Sequence, residues 1–356
     1  MLVVRKSQII KVGALLLILI VAALCAGLLS VIVDDNDTIT DARNYYYFYN
    51  MFLSDDLSGF SSALTQETGK LEPAIYMLVY SFFGWFITGF QSFAFACMFL
   101  VLAGLAMFTY ATLKRLPISS AKIYLLVIFS VFIYTVWYPS YSSVLWVWRS
   151  HLAFTLVFFA IINTRMLWCV CLICFSVFLH YSSVALAMVV CFFFMWVRFF
   201  PKVSLGVKFF ISLSIGLVAS MLVGIMKSAV VSGDGVWVSD TDAGAFVYAY
   251  FFGFIIVLIA MLSQAGMLRI DLSEHERKLL AKLFCVILFF LGLSITSVKS
   301  HQDLMRIMQP AFIIAPLAYI IIFIRSKMWV RFALIGLLLP GIVMGVRSGY
   351  IYLGGV

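Results

Sequence analysis

Long continuous apolar runs, separated by short basic linkers, constrain this chain more than any other feature. A run of about 20 apolar residues can cross the hydrocarbon core of a bilayer as an α-helix. The runs lie at 9–33, 73–90, 91–113, 123–138, 150–164, 166–180, 182–197, 209–231, 247–268, 283–298, 307–324 and 332–351. With 65% hydrophobic and 11% charged residues, the composition excludes a soluble domain, a disordered chain and a nucleic-acid-binding module. Because the runs are continuous and do not alternate, a transmembrane β-barrel is excluded as well.

The positions of the basic residues predict which linkers face the cytoplasm, since cytoplasmic loops are rich in Lys and Arg. The clusters lie within 5–11, 114–122, 165, 198–208, 269–282 and 325–331. If all of them are cytoplasmic, the segment 73–113 crosses the membrane an odd number of times. We therefore expect 91–113 to cross and 73–90, which is rich in Gly and aromatic residues, to form a re-entrant or interfacial helix.

The apolar runs and the odd number of crossings in 73–113 predict an all-α polytopic membrane protein, with residues 1–356 forming a single membrane domain. We expect about 11 transmembrane helices, within a range of about 10–12. The N-terminus is then cytoplasmic and the C-terminus lies outside. Two longer outer loops result, an acidic one at 34–72 and a second at 232–246. Loops of more than about 12–15 residues are usually functional or disordered.

Two arginines are predicted on the outer face, where basic residues are less common than on the cytoplasmic face. Arg149 follows Trp148 at the start of one apolar run, and Arg306 stands at the start of another, shortly after Lys299. A single interfacial arginine can simply extend toward the headgroups or pair with a nearby acid such as Asp303. Two guanidinium groups together would suit a diphosphate, which they can bind through paired hydrogen bonds.

Three of the four histidines, His151, His180 and His301, also map to the outer face. Imidazole can serve as a phosphate donor or as an acid or base near neutral pH. A histidine at a helix end can equally be a satisfied polar contact. No metal-binding spacing accompanies these histidines, so we expect a site without a metal ion.

The first outer loop carries a further set of candidates. At helical spacing Asp41, Tyr45 and Tyr49 share one face. The tyrosines can be interface anchors or can stack on sugar rings, and Asp41 can act as a base or bind a hydroxyl group. Glu72 precedes Pro73 and the aromatic segment, so it is either a general base with a raised pKa or an ordinary helix-start acid.

These pieces together resemble the EpsG/Wzy group of bacterial surface-polysaccharide polymerases. The matching residues are Asp41-x-x-Asn44-Tyr45-x-x-x-Tyr49, Glu72-Pro73, Arg149-x-x-Leu152-Ala153, His180-Tyr181-Ser182-Ser183 and Arg306. Their order and approximate spacing agree with that group over residues 34 to 310. Each motif is short, so the resemblance rests on their combination.

The resemblance implies a multi-pass glycosyltransferase of the bacterial inner membrane, with a GT-C-like helical bundle as one compatible architecture. Such an enzyme joins oligosaccharide repeat units linked to undecaprenyl diphosphate on the periplasmic face, without a metal ion or other cofactor. Asp41, Glu72 or His180 would be the catalytic base. The substrate-binding set would be Arg149, Arg306, Lys299, His301, His151, Tyr45 and Tyr49. Partners would be the lipid-linked oligosaccharides, the lipid bilayer and a chain-length regulator protein, with no nucleic acid.

Other functions fit parts of the same pattern. A ligase that transfers O-antigen, or another transferase that uses lipid-linked sugars, shares the diphosphate leaving group. A flippase or transporter of lipid-linked oligosaccharides would carry charges through its spans and an internal repeat. Here the charged candidates gather on one face and no repeat is visible, which favours chemistry on one side of the membrane.

Overall fold

The computed structural model is mainly helical in the part of the chain that it describes, which comprises residues 6–32, 42–54, 74–137, 140, 144, 147–230, 270–297 and 301–352. The helices divide between two compact units. Unit 1 comprises residues 1–135, 144–185 and 347–356, and unit 2 comprises residues 136–143 and 186–346. The all-α prediction is confirmed for the described residues, which contain no strand.

Among the described residues, unit 1 contains seven helices of very different length. They are α1 (Lys6–Ile32), α2 (Ala42–Leu53), α3 (Ala74–Phe83), α4 (Phe90–Leu113), α5 (Ser120–Val136), α6 (Trp148–Asn163) and α7 (Met166–Leu179). Unit 2 contains most of α8 (Ser183–Phe199), together with α9 (Leu205–Val230), α10 (Glu274–Ser294), α11 (His301–Arg325) and most of α12 (Met328–Tyr352).

Five of these helices are long and apolar enough to cross a membrane. They cover Lys11–Ile32, Phe90–Leu113, Leu205–Leu222, Glu274–Ser297 and Leu304–Arg325. Shorter apolar helices follow the remaining predicted runs, except that the run at 247–268 lies outside the described residues. The described part of the chain is therefore that of a polytopic membrane protein.

The segment predicted to be re-entrant or interfacial contains a short helix and a turn. Helix α3 has ten residues, so it is about 15 Å long and cannot cross a hydrocarbon core of about 30 Å. It ends at Phe83, and the chain turns through Gly84 and Gly89 before α4 begins. A Cβ at Gly84 would collide with the ring of Tyr80, which explains why the tightest part of this turn has no side chain.

Helices α4 and α6 run parallel through unit 1. At one end Phe93 of α4 contacts Trp148 of α6, with ring centroids 6.3 Å apart. At the other end the Asn163 side-chain amide donates a hydrogen bond of 2.9 Å to the Thr112 hydroxyl. In the middle Gly104 lies against the Leu152 side chain. Paired contacts at both ends fix the register of these two helices.

The end of α6 at Asn163 carries basic residues and is called here the basic end of unit 1. The guanidinium of Arg115 donates to the carbonyl oxygens of Ile162, at 2.6 Å, and of Asn163. These carbonyls belong to the last turn of α6, where carbonyl groups lack partners within the helix. Arg165 follows on the connection to α7, so two clusters that the charge rule assigned to the same side lie at one end of unit 1.

Helices α9 and α10 form the closest helix pair of unit 2. A Cβ at Gly216 would collide with the Phe289 carbonyl oxygen, and a Cβ at Gly292 would collide with the Leu213 carbonyl oxygen. One turn further on, the hydroxyls of Ser220 and Thr296 are 2.6 Å apart. Small residues at such a crossing let two backbones approach closely, as is common between transmembrane helices. Phe209 packs on Phe284 before the crossing, and Ser220 meets Thr296 after it, so the two helices are parallel.

An ion pair joins the start of α10 to the end of α11 in unit 2. The Glu276 carboxylate is fully buried and accepts hydrogen bonds of 2.8 Å from Arg325 and from the Ser273 backbone N–H. Arg331, on α12, donates to the carbonyl oxygens of Phe323 and Ile324 in the last turn of α11. The basic clusters at 269–282 and 325–331 therefore lie at the same end of unit 2, as the charge rule predicts.

Candidate functional site

The end of unit 1 away from Arg115 is formed by an aromatic cluster on three helices. Helix α2 contributes Tyr45, Tyr46 and Tyr49, α4 contributes Phe90 and Phe93, and α6 contributes Trp148. The Tyr45 and Trp148 rings meet edge to face at 5.4 Å, and Tyr49 lies 5.1 Å from Phe93. Tyr46 contacts Phe90 at 5.7 Å and Phe93 at 5.5 Å. The rings thereby attach α2 to the ends of two apolar helices.

Helical spacing in the sequence places these rings together. Tyr45 and Tyr49 are four residues apart on α2, and Phe90 and Phe93 are three apart on α4, so each pair shares a helix face. The start of α4 is fixed by Ser92, whose hydroxyl accepts hydrogen bonds from the backbone N–H groups of Thr88 and Gly89 at 2.9 and 3.1 Å.

Arg149 is held against this cluster. Its guanidinium carbon lies 5.0 Å from the centroid of the Tyr45 ring, within the range of a cation–π interaction. Trp148, which precedes Arg149, makes an edge-to-face contact with the same tyrosine. The arginine is only partly buried, so its position is fixed on one side by the ring while part of the side chain remains accessible. The structure therefore brings together two residues of the predicted substrate-binding set, Arg149 and Tyr45.

Tyr49 contributes a buried polar group to the cluster. The residue is 1% exposed, and within the described part of the chain its hydroxyl has no hydrogen-bond partner. Burial raises the pKa of the Tyr49 hydroxyl above its usual value, with a smaller contribution from Tyr80. The hydroxyl is therefore neutral at physiological pH, and its burial leaves no face of the ring open for stacking on a sugar.

His151 lies inside the bundle on α6. It is 0% exposed, and its backbone carbonyl accepts a hydrogen bond of 2.8 Å from Thr155. It is two residues after Arg149, so the two side chains leave the helix in different directions. The role of His151 as a phosphate ligand stays a prediction, since a ligand could reach this position only after the surrounding side chains move.

His180 lies at the same end of unit 1 as Trp148, because α6 and α7 form an antiparallel pair joined by a two-residue connection. Its ring is 5.9 Å from Phe154 and 5.2 Å from Tyr181, and it is partly exposed. The backbone N–H of His180 closes α7 by donating to the Ser176 carbonyl at 2.9 Å. His180 is therefore the predicted catalytic residue that the described structure places at this end.

The other predicted residues are either in unit 2 or outside the described residues. Arg306 is an exposed residue near the start of α11 in unit 2. His301 begins α11, but its side chain lies outside the described residues, as do Asp41, Glu72 and Lys299 altogether. The convergence of Arg149, Arg306 and Lys299 on one diphosphate stays a prediction.

Sequence reasoning did not include Phe90, Phe93, Trp148 and Tyr46 among the site residues, although they form the aromatic cluster with Tyr45 and Tyr49. A usable signal was present in the sequence: Trp148 directly precedes Arg149, and Phe90 and Phe93 follow a glycine turn at the start of an apolar run. Aromatic side chains are common at both membrane interfaces, however, so this signal alone does not distinguish a site from an anchor.

No protein-family model, no curated protein and no solved structure matches this chain. The class of protein is therefore defined by its helices alone. It is a membrane protein built from several apolar helices, with a partly exposed arginine held in an aromatic cluster at one end of unit 1.

Proposed function

We propose that this protein is a polysaccharide polymerase of the bacterial inner membrane. In this proposal it joins oligosaccharide repeat units carried on undecaprenyl diphosphate at the periplasmic face. It is a glycosyltransferase that needs no metal ion, because the charge on the leaving group is neutralised by arginine side chains. The observation that carries the proposal is Arg149, a partly exposed cation fixed on Tyr45 at the end of unit 1 away from the basic clusters.

The orientation in the membrane follows from the charges. We assign the basic ends of both units to the cytoplasm, with about 11 spans, the N-terminus inside and the C-terminus outside. Two observations support this: Arg115 and Arg165 lie at the same end of unit 1, and the clusters joined by Glu276 and Arg325 lie at the same end of unit 2. Arg149, Tyr45 and His180 then face the periplasm, and α3 is the re-entrant or interfacial helix.

The reaction is a displacement at the anomeric carbon of the lipid-linked sugar. An acceptor hydroxyl attacks this carbon, a glycosidic bond forms, and the bond to the diphosphate oxygen breaks. The proton of the hydroxyl passes to His180, Asp41 or Glu72. Negative charge grows on the diphosphate as it leaves, and Arg149, with Arg306 and Lys299, stabilises that charge.

Chain-length analysis of the surface polysaccharide tests the proposal. In a deletion strain, wild-type protein should restore long chains, whereas Arg149→Ala should leave single repeat units while the protein still accumulates in the membrane. Loss of one charge-assisted contact in the transition state corresponds to about a hundredfold or greater loss of rate. Arg165→Ala, at the basic end of unit 1, is the matched control and should retain long chains.

The same strains separate the proposal from its rivals. Single repeat units attached to the surface carrier are expected when only the polymerase is missing. Absence of all surface sugar in the deletion strain would indicate a ligase or a flippase instead. Wild-type chain lengths in Arg149→Ala would contradict the role of the arginine.

A further inference from the structure

A second group of cations lies in unit 2, on three helices that do not carry the aromatic cluster. The Lys282 ammonium of α10 lies 5.2 Å from the centroid of the Phe194 ring on α8. Arg198 is one helical turn after Phe194 and shares its face. Phe193 and Phe289 hold α8 and α10 together at 5.5 Å between ring centroids.

Lys208 of α9 joins this group from another direction. Only 3% of Lys208 is exposed, and the residue lies near the Cys285 thiol. Cys285 is three residues after Lys282, so both lie on one face of α10. Phe209 and Phe284, with ring centroids 6.1 Å apart, pack α9 against α10 at this level. We name Arg198, Lys208, Lys278 and Lys282 the cationic cluster.

The cationic cluster lacks a matching set of acids. The positive charges of Arg198 and Lys278 both act on Lys282. The nearby carboxylates have other partners, since Glu274 pairs with Lys278 at 2.5 Å and Glu276 pairs with Arg325 at 2.8 Å. In the part of the chain that the structure describes, Lys282, Arg198 and Lys208 form no ion pair. Like charges at a partly buried position are costly unless an anion joins them.

The surface beside the cationic cluster is apolar. On α8, the side chains of Phe192, Met195 and Phe199 are 48%, 51% and 67% exposed. Trp196 and Phe200, at the end of this helix, contact each other with tilted rings whose centroids are 4.6 Å apart. An anion bound at the cationic cluster therefore lies next to a hydrophobic surface. A free inorganic ion would leave this surface uncovered.

We propose that the cationic cluster binds the phosphate of an anionic phospholipid in the cytoplasmic leaflet, with the acyl chains lying along α8. Lys282 and Arg198 contact the phosphate directly, and Lys208 strengthens the positive potential from beneath. Basic pockets between helices on the cytoplasmic side of membrane proteins are suited to such headgroups. The proposal concerns unit 2 and does not depend on the glycosyltransferase function proposed for unit 1.

Lipid retention measured by native mass spectrometry tests this proposal on the full-length protein in detergent. The protein should retain phosphatidylglycerol in preference to phosphatidylcholine. Lys282→Gln and Arg198→Gln should each weaken this retention about fivefold, since a basic residue near an anionic headgroup contributes that much. Lys122→Gln, an exposed lysine at the start of α5, is the matched control and should retain the lipid like the wild type.

Two further measurements separate the possible outcomes. Lys282→Arg keeps the charge and should retain phosphatidylglycerol, which separates loss of binding from loss of folding. Millimolar inorganic phosphate should neither displace the lipid nor raise the denaturation temperature. Equal retention of both lipids, equal effects of Lys122→Gln and Lys282→Gln, or displacement by inorganic phosphate would each overturn the proposal.

Discussion

The guanidinium carbon of Arg149 lies 5.0 Å from the centroid of the Tyr45 ring. The two residues come from helices separated by about a hundred positions, and the contact attaches α2 to the start of α6. Tyr45 itself makes an edge-to-face contact with Trp148. A cation fixed in this way loses little conformational entropy when it binds an anion, which is what an electrostatic role in catalysis requires.

The ring of Tyr45, rather than its hydroxyl, should matter for positioning Arg149. Tyr45→Phe keeps the aromatic face and should retain most of the polysaccharide chain length. Tyr45→Leu removes the cation–π interaction, which contributes about 0.5–2 kcal/mol, so polymer formation should fall by about two- to thirtyfold. Gel separation of surface polysaccharide from equal amounts of membrane protein measures both variants.

An exposed tyrosine of the same helix provides the control for this comparison. Tyr47 is 56% exposed, and its ring contact is with Phe48 of the same helix. Tyr47→Leu should leave chain lengths unchanged. If it shortens them as much as Tyr45→Leu does, the effect belongs to α2 as a whole and the positioning role of Tyr45 is wrong.

The Tyr49 hydroxyl should cost stability, because it is buried without a partner among the described residues. Tyr49→Phe removes this group and should raise the free energy of unfolding by about 1 kcal/mol. Thermal denaturation in detergent measures the change. A loss of more than about 1 kcal/mol would mean that the hydroxyl has a partner that supports the fold.

The same hydroxyl gives a pH prediction. Burial raises the pKa of Tyr49 above 10.0, so the folded state holds the proton more tightly than the unfolded state. Titration of this group therefore leaves stability unchanged well below pH 10.0 and lowers the free energy of unfolding as the pH rises from there through the raised pKa. Wild type and Tyr49→Phe should therefore have parallel stability profiles from about pH 6 to 9 and diverge above pH 10.

Much of the fold follows from the sequence because burial in lipid leaves few choices for the backbone. The apolar runs locate the helices, and basic linkers such as Arg115 and Arg165 meet at one end of unit 1 as predicted. Two features do not follow from hydropathy. Helix α3 ends at Phe83 in the middle of an apolar run. The α9–α10 crossing depends on two glycines, but other glycines in the chain have no close neighbour at the Cβ position.

The candidate site is predictable only in part. The spacing of Tyr45 and Tyr49 indicates a shared helix face, and an arginine expected on the outer side indicates a function. The contact between Arg149 and Tyr45 depends on how α2 packs on α4 and α6. This packing joins segments that are distant in sequence, so it cannot be read from local spacing. Burial separates residues that look alike in sequence, since Arg149 is accessible whereas His151, two residues on, is 0% exposed.

The crossing of α9 and α10 should tolerate no side chain at its two glycines. Gly216→Leu and Gly292→Leu each place atoms where the opposite backbone already lies, and overpacking of this kind costs about 1–3 kcal/mol or more. Both variants should denature at clearly lower temperature in detergent. Gly336→Leu is the control, because nothing lies within 4 Å of its Cβ position, and it should denature like the wild type.

The two glutamates at the start of α10 should contribute very differently to stability. Glu276 is fully buried and pairs with Arg325 of α11, whereas Glu274 is 81% exposed in its pair with Lys278. Glu276→Gln leaves the arginine without its counter-charge and should cost about 3–5 kcal/mol. Glu274→Gln should cost no more than about 1 kcal/mol, since exposed ion pairs contribute little.

Adding Arg325→Gln to Glu276→Gln completes a double-mutant cycle. Because the lone charge is then removed with its partner, the double variant should recover part of the stability that Glu276→Gln loses. Thermal denaturation of all four proteins in one detergent gives the coupling energy. Additive losses, with no recovery in the double variant, would mean that the ion pair does not stabilise the contact between α10 and α11. Packing alone would then hold these two helix ends together.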